Sequence, residues 1–112
     1  MRDERAFLFD MLDSARLACD HLGRQTFEEF SADLKTQDSV VRRLGIIGEA
    51  AKHISDSTRN LLPPIQFERM AGMRDRVVHA YWDVDLRIVW ETVVQDLPAL
   101  ITALEPLLPP SP

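Results

Sequence analysis

Apolar side chains recur at three- and four-residue spacing along most of the chain. Over residues 4–22 they are Leu8, Met11, Leu12, Ala15, Cys19 and Leu22, the one-sided stripe of an amphipathic helix. Gly23 follows His21 and Leu22 and predicts a left-handed cap closing that helix. Thr26 stands before Phe27, Glu28 and Glu29, a capping residue followed by acids, which predicts a short helix through about Leu34. A second long helix is predicted from about Gln37 to Thr58, with Val40, Val41, Leu44, Ile47, Ala51 and Ile54 as its stripe. Gly45 and Gly48 lie inside it and cost ~1 kcal/mol each relative to alanine unless their missing side chains admit a close neighbour. Their spacing predicts a tight helix–helix contact, either within the chain or between two chains.

Pro63-Pro64 divides the chain, and Pro64 suits the first turn of a third helix. That helix is expected to turn Phe67, Met70, Met73, Val77 and Val78 inward and to reach about Tyr81. Asp83 or Asp85 can cap a fourth helix holding Leu86, Val89, Trp90, Val93, Leu97, Ile101 and Leu104. Pro98 predicts a kink there, because an interior proline removes a backbone hydrogen bond. No repeat or strand-like alternation interrupts these patterns. The expected fold is all-α: an up-and-down bundle of four main helices plus one short helix over residues 1–108, with 109–112 as a disordered Pro-rich tail.

Composition narrows the function classes. The chain has 112 residues, within the commonest size of one domain. Its single cysteine, Cys19, leaves no intrachain disulfide and fits a reducing cytoplasm. The first residues, Met-Arg-Asp-Glu-Arg, do not form a secretory signal, and no charge-free run approaches the ~20 residues of a membrane span. A net charge of −5 argues against non-specific nucleic-acid binding. The charge is unevenly placed, however. Residues 1–35 carry five basic and eight acidic side chains and 91–112 three acidic ones, whereas 36–90 carry eight basic against seven acidic. An anionic ligand is therefore tolerated best in the middle of the chain.

That middle contains Arg74-Asp75-Arg76-Val77-Val78-His79-Ala80-Tyr81, an R-x-x-x-x-H-x-Y run. An arginine holds a phosphate, a histidine moves protons near neutral pH, and a tyrosine accepts a phosphoryl or nucleotidyl group, which together suggest phosphodiester chemistry. The same residues also suit a helix end, where cations satisfy the last carbonyls, and Tyr81 suits the rim of a core. On an ideal helix Arg74 and Tyr81 fall within ~20° of each other, but His79 lies ~140° away from Arg74. One regular helix cannot aim all three at one substrate. Either the helix distorts near His79, or a second copy of the chain completes the site, as in a symmetric dimer. Glu49 shares a polar stripe with Arg42, His53 and Asp56, consistent with a solvated face or with a side chain facing the site. His21 and His53 have no arrangement of Cys, His or carboxylate typical of a metal site.

The motif and its flanks resemble the HepT-like toxin ribonucleases of the HEPN superfamily. Arg43-Leu44-Gly45-Ile46-Ile47-Gly48-Glu49-Ala50-Ala51 is similar to the second-helix signature of that group, and Phe67–Asp75 to its lead-in. Tyr81-Trp82-Asp83-Val84-Asp85, Val89-Trp90-Glu91 and Asp96-Leu97-Pro98 are similar to its last segment, so the resemblance spans roughly residues 3–107. It implies a cytoplasmic, metal-independent endoribonuclease needing no cofactor, a homodimer whose two motif copies face each other. Arg74 would hold the scissile phosphate, His79 would serve as general acid or base, and Asp75, Tyr81 and Glu49 would line or support the cleft. The resemblance also implies a type VII-like toxin–antitoxin pair, in which a minimal nucleotidyltransferase (MNT) antitoxin transfers AMP to Tyr81 and so switches the toxin off. Asp75 departs from the asparagine common after the motif arginine, and an acid there lowers the local positive potential. Two other readings stay open: a catalytically weak HEPN scaffold for a nucleotidyltransferase, and a helical module that binds a nucleotide through Arg74.

Overall fold

Asp3 starts the first helix by accepting a hydrogen bond from the Arg5 N–H, leaving α1 to run over Glu4–Leu22. The structure, a computed structural model, describes residues 2–62, 70, 72, 78–80 (backbone only) and 83–108. Gly23 closes α1 with φ of 60° and an N–H donated to the Cys19 carbonyl at 2.9 Å. The positive φ is the one expected of a glycine cap. Its ψ of −134° differs from the left-handed helical value, so the expected left-handed closure is corrected.

A capping box begins α2 (Phe27–Ser31): Glu29 N–H donates to Thr26 Oγ1 at 3.1 Å, and Thr26 N–H donates back to Glu29 Oε1 at 3.0 Å. This helix stops at Ser31 rather than near Leu34, because Asp33 starts another. The Asp33 carboxylate accepts from Thr36 Oγ1 at 2.7 Å, Thr36 N–H at 3.1 Å and Gln25 Nε2 at 2.8 Å. With that cap, α3 occupies Leu34–Ala51, beginning before the expected Gln37. The same bonds favour the ionised carboxylate, Thr36 foremost and then Gln25, and lower its pKa to about 2.

A carboxyl depressed in the folded state contributes stability in full above its unfolded value of 3.8, and loses it as pH falls toward about 2. The melting temperature of Asp33→Asn should lie below the native one above about pH 5, and the gap should close on acidification to about pH 2. A gap that stays constant over this range would show that the charge at Asp33 contributes nothing.

The second long helix also ends early. Lys52 and His53 turn out of α3, and Ser55 caps a separate one-turn helix, α4 (Asp56–Arg59), by accepting from the Thr58 N–H. The expected continuous helix to Thr58 is thus two helices. Ile54 is buried in the turn between them, so its spacing imitates a stripe that continues.

The third predicted helix falls largely on residues outside those described, although Met70, one of its expected core positions, is buried. Its expected extension to Tyr81 is corrected. Val78–Ala80 forms strand β1 and pairs antiparallel with β2 (Asp83–Val84), with Val78 opposite Val84, Ala80 opposite Asp83 and a register irregularity between. The β-branched side chain of Val78 favours extended backbone over a helix end.

Asp85 then caps α5 (Leu86–Glu91) by accepting from the Ile88 N–H at 3.1 Å. A π-helical turn (Thr92–Asp96) leads directly into α6 (Leu97–Leu104), and Glu105–Leu107 make a 3₁₀ turn. At the π turn the Leu97 N–H reaches back five residues to the Thr92 carbonyl. Pro98 has no N–H to offer the Val94 carbonyl, so the backbone ladder loosens just before the proline. The Cys19 thiol lies 3.9 Å from the Val93 carbonyl of this turn, and burial pushes the thiol pKa up.

The core joins these elements. α1 packs along α3, α6 lies on α1, and α2 touches α3 and α5. Met11, Ala15, Ala18, Phe30, Val40, Leu44, Ile47, Val89, Leu97 and Leu104 are fully buried among them. The architecture is the expected all-α bundle, with one small hairpin added. The expected tail at 109–112 lies outside the described residues.

Candidate active site

The hairpin sets where the motif histidine sits. The His79 backbone lies in β1, one residue before Ala80 pairs with Asp83, so no regular helix runs through it. The helical projection that separated His79 from Arg74 and Tyr81 therefore does not apply. Arg74, Asp75 and Tyr81 fall outside the described residues, and so does the side chain of His79.

What lies around the hairpin is firmly anchored. Downstream, Asp85 caps α5 and the Arg87 guanidinium lies 3.8 Å over the Phe27 ring and 5.9 Å from the Trp90 ring centre. Phe27 and Trp90 meet edge to face at 6.1 Å, and Trp90 Nε1 donates to the Gln25 carbonyl at 3.2 Å. Upstream, the Glu4 carboxylate accepts from the Ser55 N–H and from Thr58 Oγ1 (3.0 Å), tying the start of α4 to the first turn of α1. Those bonds hold the Glu4 carboxyl below its ordinary range, the Ser55 N–H foremost. Of these contacts only the Asp85 cap is legible in local spacing, since no short-range pattern links Glu4 to Ser55 or Arg87 to Phe27.

Glu49 stands on the exposed face of α3, its Oε1 3.2 Å from Lys52 Nζ. It lines a groove of about 570 Å³ between α1 and α3 together with Arg2, Phe7, Asp10, Arg42, Gly45 and His53. Of the polar stripe predicted with Glu49, Arg42 and His53 share this groove, whereas Asp56 belongs to α4 and pairs with Arg59 at 3.9 Å. The α1 wall was not foreseen: Phe7 stacks on the His53 ring with centroids 4.3 Å apart, Arg2 lies 4.7 Å over Phe7, and Arg2 Nη1 binds Asp10 Oδ2 at 2.7 Å. His21 Nδ1 is hydrogen-bonded to Ser39 Oγ, away from this groove. Among the described residues, no three His, Cys, Asp or Glu side chains gather as metal ligands, and no helix is long and apolar enough to cross a membrane.

Comparison with known proteins decides the family. Residues 11–107 match the family model described as "Ribonuclease HepT-like". The chain belongs to the HepT-like ribonuclease family. It is 41% identical over 106 residues to the "Probable ribonuclease HepT" of Thermococcus cleftensis, covering 95% of this chain and 96% of that one. It is 36% identical over 107 residues to a Methanocaldococcus jannaschii protein named as a candidate RNase, covering 96% and 88%. A similarly named protein of Caldanaerobacter subterraneus is 32% identical over 108 residues, covering 96% of each. No solved structure matches the chain. The HepT-like match takes in the whole Arg74–Tyr81 run, both anchors of the hairpin except Glu4, and the α3 wall of the groove.

Proposed function

We propose that this HepT-like chain is a metal-independent endoribonuclease. The observation that carries the reading is the Arg74…His79…Tyr81 run inside a match to a ribonuclease family over residues 11–107. In the proposed reaction the ribose 2′-oxygen attacks the adjacent phosphorus and the 5′-oxygen leaves. The new P–O bond closes a 2′,3′-cyclic phosphate as the old one breaks. His79 takes the 2′-hydroxyl proton or supplies one to the leaving oxygen, for which an imidazole with a reference pKa of about 6.5 is suited. Arg74 holds the phosphate and offsets the charge that builds on its oxygens. Two copies of the motif facing each other in a homodimer would supply one histidine for each proton transfer.

The test is cleavage of unstructured RNA by the purified chain in excess chelator. Fragments ending in cyclic phosphate, formed equally fast with and without chelator, are expected; loss of activity on chelation would overturn the metal-independent mechanism. Asp75 favours one other reading, a catalytically weak scaffold for the nucleotidyltransferase, which predicts little cleavage.

Regulation has a separate readout. We propose that an MNT-type antitoxin transfers AMP from ATP to the phenol of Tyr81, releasing pyrophosphate and placing bulk and negative charge in the cleft. Tyr81 is the chain's one tyrosine. Intact mass after incubation with the partner and ATP should rise by one AMP-sized increment, and Tyr81→Phe should gain none. An increment that persists in Tyr81→Phe would move the modification elsewhere.

A further inference from the structure

Arg87 stands among carboxylates in the sequence, yet its partner is a ring. Asp83 and Asp85 precede it, and Glu91 follows one turn on along α5, the spacing at which a helical arginine finds an ion pair. Among the described residues Arg87 forms no salt bridge. Its guanidinium lies 3.8 Å over the Phe27 ring instead, and the side chain is exposed to solvent. The rings beneath it are fixed. Phe27 and Trp90 meet edge to face at 6.1 Å, and Trp90 Nε1 donates to the Gln25 carbonyl at 3.2 Å. Trp90 packs on the buried core of the described residues, whereas half-buried Phe27 does not. An aromatic ring outside the core and an arginine without a counter-ion together make a platform with one bare face.

We infer that this platform is a subsite for one unpaired base of a single-stranded RNA, stacked on the outer face of the Arg87 guanidinium and backed by Phe27 and Trp90. Guanidinium planes and aromatic rings are the surfaces on which unpaired bases stack, and an arginine does so as a flat cation. Bases inside a duplex have both faces covered, so the site takes single strands. Its place fits the chemistry. Val84 in β2 pairs with Val78, the residue before His79, and Arg87 follows Val84 by three positions. Three chain steps and one strand spacing put the Arg87 Cα within ~17 Å of the Val78 Cα. A strand whose phosphate lies at the motif therefore reaches the platform within a few nucleotides. Charge selects a base over a phosphate here. Glu28, Asp83, Asp85 and Glu91 flank the stack in the sequence, so a run of phosphates would meet carboxylates, whereas a base carries no charge. The stack is already formed, and little side-chain freedom is lost when a base joins it.

The substrate assigned to this subsite rests on the ribonuclease reading, and the test reads binding apart from cleavage. The probe is a labelled single-stranded oligoribonucleotide, 2′-O-methylated throughout so that it lacks the attacking hydroxyl, titrated with the full chain by fluorescence anisotropy. Arg87→Ala should raise its Kd roughly 10- to 100-fold, the range of one lost base stack. Arg87→Lys keeps the charge without the plane, so it should lose nearly as much while the slope of log affinity against log salt stays native. Probes with single bases removed in turn separate stacking from damage to the fold. At one position the abasic probe should bind the native chain about as weakly as the intact probe binds Arg87→Ala, and the two losses should not add. Native affinity in Arg87→Lys, a salt slope reduced by about one, or losses that add at every position would each overturn the stacking subsite. A native chain that cuts RNA while its binding ignores Arg87 would sink the subsite and leave the ribonuclease reading standing. Binding that depends on Arg87, without cleavage of the unmethylated strand, would do the reverse.

Discussion

His79→Ala should remove RNA cleavage while leaving the protein folded, with a rate loss of ~10²–10⁴, the usual contribution of one general acid–base group. Arg74→Ala should lose ~10²–10³, as removal of a preorganised charge-stabilising donor does. The fold should survive both changes, because the large buried side chains come mainly from α1, α2, α3, α5 and α6 and the anchors of the hairpin do not involve His79. Circular dichroism and the melting temperature supply that control. The pH profile separates a proton-transfer role from a merely structural one. Native cleavage should be bell-shaped around neutrality if two copies of His79 share the acid and base roles, and residual cleavage in His79→Ala should lose the dependence on the imidazole. Undiminished cleavage in a folded His79→Ala protein would remove His79 from the mechanism and with it the proposed reaction.

How far the chain could be read in advance depended on the range of the interactions. The stripes of α1, α3 and the last helical stretch marked core positions correctly, because 3.6-residue periodicity is a local property: Met11, Leu44, Val89 and Leu104 are all buried. The capping residues Thr26 and Asp85 were legible for the same reason. Boundaries fared worse wherever two signals overlapped. Asp33 reads as one more acid after Glu28 and Glu29, yet it starts α3, and the buried Ile54 disguises the break at Lys52. The hairpin at 78–84 was missed because strands of two and three residues are too short to alternate visibly. The Arg74–Tyr81 run was conspicuous as chemistry but not as geometry. Its supports, Glu4 on Ser55 and Thr58 and Arg87 on Phe27, join residues more than fifty positions apart, a distance no spacing rule covers. Gly45 shows the limit from the other side. Its place in the sequence predicts a close approach, yet a Cβ there would meet nothing within 4 Å among the described residues.

Phe30→Ala should be among the most destabilising single changes in the molecule. Among the described residues Phe30 is the largest fully buried side chain, although it stands on a helix of only five residues. So short a helix has no stability of its own in water. The capping box fixes its first turn, but the ring of Phe30 is what fastens α2 to the core formed with α3 and α5. Truncating a buried phenylalanine typically costs about 3–5 kcal/mol, the lost transfer energy plus the cavity left behind. Against a total stability of about 5–15 kcal/mol for a domain, that is a large fraction. The melting temperature should fall by on the order of 15 °C, taking roughly 4 °C per kcal/mol at this chain length. Trp90 provides a local probe, since its ring packs on Phe27 of the same short helix and its Nε1 binds Gln25 just ahead of it. Its fluorescence should report loosening of α2 at or before global unfolding. Val94→Ala is the matching control: Val94 is exposed on the π turn, so its truncation should change stability by no more than about 0.5 kcal/mol. A Phe30→Ala protein as stable as the Val94→Ala control would mean that α2 is held by its caps alone and that the ring contributes little.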